Sequence, residues 1–378
     1  MIPLCEPSVN FGNTKKYIND CIETNWVSSA GSYVRDFEAM LAAYLDAKHV
    51  VAVGSGTAAL HLSLLVGGVL PNEEVIVPTF SFVATANAVR YVGAYPTFID
   101  CGFIHIDLEK LEKFLKYRCV FSNGDLINKE TQRVISAIIP VHLLGHPIPC
   151  MEEIRDLADK YNLLLVEDAA QALGSSPICK YGDVACLSFN GNKIITCGGG
   201  GAIVTNNDGF AHTVRHLSTQ ARCSNEEYLH SDVGYNYRLS NLHAALGCAQ
   251  MENIGYFLEK KRSIAAKYIE MLPRKHINVI CAHPAVSSNY WITTVVVNSS
   301  EAKLELYRCL RDFDILVSHV WLPLDTLPMF RDCYSFGVDS SYQFYSRGLM
   351  LPSSISLTEE KQIYICDLIN QFFEDRYE

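Results

Sequence analysis

The sequence predicts an α/β protein: a large domain with a mostly parallel sheet flanked by helices, then a smaller C-terminal α/β domain. Three observations predict it. Between about Lys48 and Asn206, short β-rich runs alternate with turn residues and helix-like segments. Those runs are continuously apolar, as strands buried on both faces are, and do not alternate with polar residues. The chain has 378 residues, 49% apolar and 19% charged, enough to bury a sizeable core.

The strand runs, in order, are HVVAVGSG, EVIVPTF, YPTFID, VISAIIPVHLLG, NLLLVEDAA, VACLSFN and GAIVTN. Helices between them imply right-handed crossovers. One helix starts at the turn before Thr57. Another, MEEIRDLADKYN, carries acids in its first turn, where the helix dipole favours them. A long helical region runs from Ser240 to about Leu272. Beyond it INVI, YWITTVVV and ILVSHVW read as strands, with helices at Ala302–Phe313 and Thr358–Phe373. The expected division is residues 1–254 for the large domain and 255–378 for the small one.

The formal net charge of −10 argues against a nucleic-acid partner, so an anionic substrate needs a local basic pocket. The fourteen cysteines include no C-x-x-C pair, and several sit inside apolar segments, such as Cys186 and Cys248. They are read as reduced residues of a cytoplasmic protein. The first ten residues, MIPLCEPSVN, do not have the make-up of a signal peptide, and no apolar stretch is long and unbroken enough to span a membrane.

Three motifs carry chemistry. Gly54-Ser55-Gly56-Thr57-Ala58-Ala59 follows the first strand; glycines allow a tight turn, and a helix N-terminus presents N–H groups to a phosphate. It also fits a dinucleotide fingerprint, but the acids at the required distance, Glu73 and Glu74, precede the next strand rather than follow it. LLLVEDAAQ delivers Glu167 and Asp168 at a strand's C-terminal end, as ligand groups or as structural caps. SFNGNK places Lys193 after a strand and shortly before four glycines, 198–201. A lysine buried beside a ligand has a lowered pKa and can form a Schiff base; otherwise it is a surface residue. A phosphate cradle, an acid and an amine, each at a strand end and in that order, are what pyridoxal phosphate requires.

The stretches WVSSAGSYVRDFE, GSGTAALHLSL, VIVPTFSFVATANAV, PVHLLG, EDAAQALG, SFNGNKIITCGGGGAIVT, VGYNYRLSNLHAALG and LMLPSS resemble the DegT/DnrJ/StrS sugar aminotransferases, from residue 25 to 354. The form around the lysine is most similar to the subgroup acting on UDP-linked 4-keto-6-deoxy amino sugars, of the legionaminic acid and bacillosamine pathways. The resemblance implies the pyridoxal-phosphate transferase fold of type I and transfer of an amino group from L-glutamate to a nucleotide-linked keto-sugar. It implies that Lys193 bonds the cofactor and shuttles the proton, and that Asp168 holds the pyridine nitrogen protonated. Phe82 would stack on the ring. Gly56, Thr57, the Ala58 N–H and Ser188 would hold the phosphate, and Gln171 would reach the ring hydroxyl. Asn236, with Arg238 as its rival, would contact the phosphate of a neighbouring subunit, giving a homodimer.

For the substrate, the loop 26–33 with Ser29 and Tyr33, and His319 and Trp321, are candidates, with Arg222 behind them. His142 and His146 are four apart, but a strand leading into a turn does not align them as metal ligands, so no metal is expected. Three rivals remain. A dehydratase of the same family typically carries histidine at the lysine position. A cofactor-binding regulator would show no half-reaction. An oxidoreductase built on GSGTAA would not need Lys193.

Overall fold

The computed structural model describes residues 1–224 and 227–377. Among these, fourteen strands form three sheets. The strands are β1 (His49–Val53), β2 (Glu74–Pro78), β3 (Tyr95–Ile99), β4 (Cys119–Ser122), β5 (Asp125–Asn128), β6 (Ile135–Ile138), β7 (Leu164–Asp168), β8 (Val184–Ser188), β9 (Gly201–Thr205), β10 (Ile277–Val279), β11 (Thr294–Val297), β12 (Ser318–His319), β13 (Ser335–Phe336) and β14 (Gly348–Met350).

The large sheet has the order β1-β9-β8-β7-β6-β2-β3-β13. All its neighbours are parallel except β9, which runs antiparallel to both β1 and β8. Each of the seven runs expected from sequence contributes a strand here. Their continuous apolar character has its cause in burial on both faces: β2, β9 and most of β1, β3, β7 and β8 are covered. Helices Gly56–Val66, Ala84–Tyr91 and Asp208–Ser218 bring apolar residues to one face, including Ala59, Leu60, Leu62, Val89 and Val214. Helices Ser32–Leu45 and Asn241–Met251 pack on the other through Phe37, Leu41, Ala244 and Cys248.

Several runs are shorter than their sequence suggests. VISAIIPVHLLG is strand only in its first half. Pro140 interrupts the strand, pairing continues only as a single bridge between Val141 and Asp168, and Leu144 and Gly145 then turn the chain at φ +56° and +90°. The long helical region breaks at Glu252–Asn253 into Asn241–Met251 and Ile254–Met271. YWITTVVV is strand only from Thr294, and ILVSHVW only at β12.

The small sheet, β10-β11-β14-β12, is antiparallel throughout and packs with helices Ile254–Met271, Ser300–Asp312 and Glu359–Tyr377 around Tyr268, Leu306 and Phe373. The expected boundary at 254/255 falls at the start of the first of these helices. Two segments cross it: Ile2 bridges Ile315, and β13 adds to the edge of the large sheet beside β3. All fourteen cysteines are free. Among the described residues, no helix is long and apolar enough to cross a membrane.

Candidate active site

The C-terminal ends of β7 and β8 and the start of helix Gly56–Val66 meet at a cavity of about 290 Å³. Open α/β sheets bind ligands at this end of their strands.

The helix start is held by Ser55, whose Oγ accepts the Ala58 N–H at 3.0 Å. Ala58 is thereby capped within the chain. The N–H groups of Gly56 and Thr57 precede the intrahelical ladder, so they are the ones a bound anion would meet. Gly56 is needed for space: a Cβ there would lie 2.8 Å from Ser188 Cβ. Gly201 has the same cause, since its Cβ would fall 2.5 Å from the Ser55 backbone. These two contacts bring the helix tip against the end of β8 and the start of β9. Ser188 and Thr57 both line the cavity beside it.

Asp168 ends β7, fully enclosed. Its Oδ2 accepts from Thr85 Oγ1 at 2.7 Å and its Oδ1 from the Ala170 N–H at 3.1 Å. Burial raises its pKa, while Thr85, the Ala170 N–H and the charge of Lys193 pull the other way. Thr85 was not read from sequence, although PTFSFVATANAV places it one turn after Phe82.

Lys193 lies in a turn, its N–H bonded to the Asn190 carbonyl, inside a loop closed by Phe189 N–H to Gly200 O and Cys197 N–H to Phe189 O. Gly198 and Gly200 close the loop at φ +80° and +143°, which side chains disfavour. The residue is partly open to the cavity, but its amine is ringed by protein. Burial lowers its pKa to about 8, opposed by Asp168 and Cys5.

Gln171 Oε1 accepts the Leu144 N–H at 2.6 Å, which leaves its amide donors for the cavity it lines. Phe82 also lines it and is 49% exposed, so it is no part of the core. Trp321 faces Phe82 edge-on at 6.1 Å. Trp291, missed in the sequence because YWI read as strand, forms another wall. No sequence signal marks it.

The other candidates lie elsewhere. Tyr33 is not in a loop: the helix begins at Ser32, and its ring packs against Tyr17 at 5.2 Å. Ser29 is exposed and outside the cavity. His319 sits in β12, stacked on Tyr307 at 4.2 Å, and does not line the cavity. Asn236 is exposed, bridging Thr219, and is also outside it. Arg238 is engaged within the chain by Glu38 at 2.7 Å and the Ala52 carbonyl. Arg222 is likewise not a lining residue.

Glu167 faces away from the site's chemistry. It accepts the N–H groups of Cys179, Tyr181 and Gly182 and bonds His142 Nε2 at 3.0 Å. His142 Nδ1 accepts the Ile148 N–H, so both of its ring nitrogens are taken and Nε2 carries the proton.

Residues 11–370 match the DegT/DnrJ/EryC1/StrS aminotransferase family. The chain belongs to that family. It is similar to the GDP-perosamine synthase of Escherichia coli O157:H7, at 37% identity over 99% of both chains, and to that of Vibrio cholerae, at 35% over 99% of both. A Bacillus subtilis structure described with bound cofactor PMP matches with a TM-score of 0.84 and 27% identity, over 96% of this chain and 81% of that one. This aminotransferase therefore acts on sugars with pyridoxal phosphate as its cofactor. The geometry fits that group: an N-terminal helix cradle kept open by Gly56, a buried carboxylate and an amine of lowered pKa share one cavity.

Proposed function

We propose that the enzyme transfers the amino group of L-glutamate to the C4 keto group of a nucleotide-linked 4-keto-6-deoxy sugar. The carrying observation is the convergence of Lys193, Asp168 and the free N–H groups of Gly56 and Thr57 on one cavity. In this reading Gly56, Thr57 and Ser188 hold the cofactor phosphate, and Asp168 pairs with the ring nitrogen. Phe82 covers a ring face, and the Gln171 amide donates to the ring oxygen. When bound, the cofactor supplies the electron sink that lets a C–H bond next to nitrogen ionise. Lys193 then takes the proton at its Nζ and returns it to the other carbon.

The relatives named for a GDP-linked product move the proposal for the nucleotide from UDP to GDP. The exposed Asn236 reaches the phosphate of a second copy, making a homodimer the working unit. The fourteen free thiols fit a reducing cytoplasm.

Purified protein should be yellow, and L-glutamate should bleach the visible band. Borohydride reduction should fix the cofactor on the Lys193 peptide. Mass spectrometry of products from GDP-, UDP- and dTDP-linked 4-keto sugars then selects the nucleotide. A label on another residue, or no amine gained on any of the panel, defeats the reading.

A further inference from the structure

Trp291 is 3% exposed yet lines the cavity. Three hydrogen bonds fix it. Its backbone N–H donates to Asn289 Oδ1 at 2.8 Å, and its carbonyl accepts from Lys261 Nζ at 2.8 Å. Its indole N–H donates to the Asn192 carbonyl at 2.6 Å. Asn192 immediately precedes Lys193, so Trp291 ties down the backbone that carries the reactive amine. It also meets that amine: Lys193 Nζ lies 3.8 Å from the centre of the indole ring. Trp321 lies nearly parallel to Trp291, ring centres 6.5 Å apart.

An ammonium over an aromatic face is attracted by the ring quadrupole, and a neutral amine far less. Burial acts oppositely and favours the neutral form. The titratable groups facing Lys193 are Asp168, from β7, and Cys5, from the N-terminal segment. Cys5 Sγ is itself 3.4 Å from the Lys261 ammonium. Once Asp168 is committed to the cofactor's ring nitrogen, the indole face remains a favourable contact of the protein's own for a protonated amine.

We propose that Trp291 is a positioning residue, the rest on which the Lys193 ammonium sits whenever it is not bonded to the cofactor, and that it sets how readily the amine releases its proton. This rests on Lys193 being the cofactor lysine. A shuttle must alternate between charged and neutral forms. The indole limits how far burial drives the amine toward the neutral one.

The test is the titration midpoint of Lys193 in the full-length protein carrying pyridoxamine phosphate, where the amine is free. Competitive acylation across pH, read by peptide mass spectrometry, gives that midpoint without turnover or sugar. W291L should lower it by about 0.4–1.5 units, the ordinary worth of such a contact. A merely structural role would slow labelling or turnover at every pH and leave the midpoint in place. Uniform 5-fluorotryptophan keeps the shape and the N–H while drawing charge from the ring face. It should shift the midpoint the same way by less, and it stands in if W291L does not fold. An unmoved midpoint in the folded variant or the fluorinated protein overturns the proposal. If borohydride leaves the cofactor off Lys193, the underlying reading fails instead, whatever the midpoint.

Discussion

Thr85→Val keeps the shape of threonine but removes two hydrogen bonds of its hydroxyl, one to the buried Asp168 carboxylate and one with Ser81 Oγ at 3.1 Å, of which only the first depends on ionisation. The contact that senses charge is Thr85 Oγ1 to Asp168 Oδ2 at 2.7 Å. A hydrogen bond to a charged group is worth about 1.5–3 kcal/mol, or roughly 1–2 pKa units. Burial already holds Asp168 above the ordinary carboxylate pKa. The folded protein therefore binds this proton more tightly than the unfolded chain does. Ionised Asp168 costs stability above its folded pKa, and the cost disappears as pH falls toward the unfolded value of about 3.9. Thr85→Val raises the folded pKa further, so its penalty must grow with pH. Urea unfolding of the cofactor-free proteins should show a loss of about 1.5–3 kcal/mol at pH 8 and about 1 kcal/mol or less at pH 4.5. A loss of the same size at both pH values, or none at pH 8, would refute the assignment of Thr85 to the carboxylate.

Gly56→Ala sets a methyl 2.8 Å from Ser188 Cβ and should prise the helix tip from β8. Cofactor titration should show affinity weakened roughly 10–100-fold; unchanged binding would mean the cradle tolerates the shift. Glu167→Gln turns an amide donor either toward the Tyr181 and Gly182 N–H groups or toward the Cys179 N–H and the His142 N–H. The loss in urea unfolding should be about 1.5–3 kcal/mol, and no loss would contradict the account of the loop. Lys193→Met tests the amine. Burial lowers the Lys193 pKa to about 8, so its charge costs stability in full below pH 8 and not at all well above its unfolded value of about 10.4. The cofactor-free variant should be more stable at pH 7 by roughly 1–3 kcal/mol, less than the full shift because the residue is partly open. Thermal melts should show the gap closing by about pH 10.5; a constant gap would exclude titration as its source.

The large sheet was legible because its strands are buried on both faces and therefore apolar from end to end. The reactive trio was legible because each member sits at a strand end beside glycines, and the glycines have the steric causes seen at Gly56 and Gly201. What stayed hidden depends on contacts distant in sequence. Thr85 matters only because helix Ala84–Tyr91 packs its first turn against the end of β7. Trp291 reads as strand by composition, yet the ladder starts only at Thr294, which leaves the indole free to face the cavity. Tyr33 looked like loop because Ser-Ser-Ala-Gly-Ser precedes it, but Gly31 is where the chain enters the helix that Ser32 begins. For Ala58, the serine two residues before Thr57 already satisfies the N–H assigned to a phosphate.

The cavity draws its walls from Ser55 at one extreme of the sequence and Trp321 at the other. A nascent polypeptide still lacking its last fifth would possess the lysine and the aspartate without a finished chamber to hold a vitamin. Every shorter chain that stops before position 321 lacks that aromatic wall.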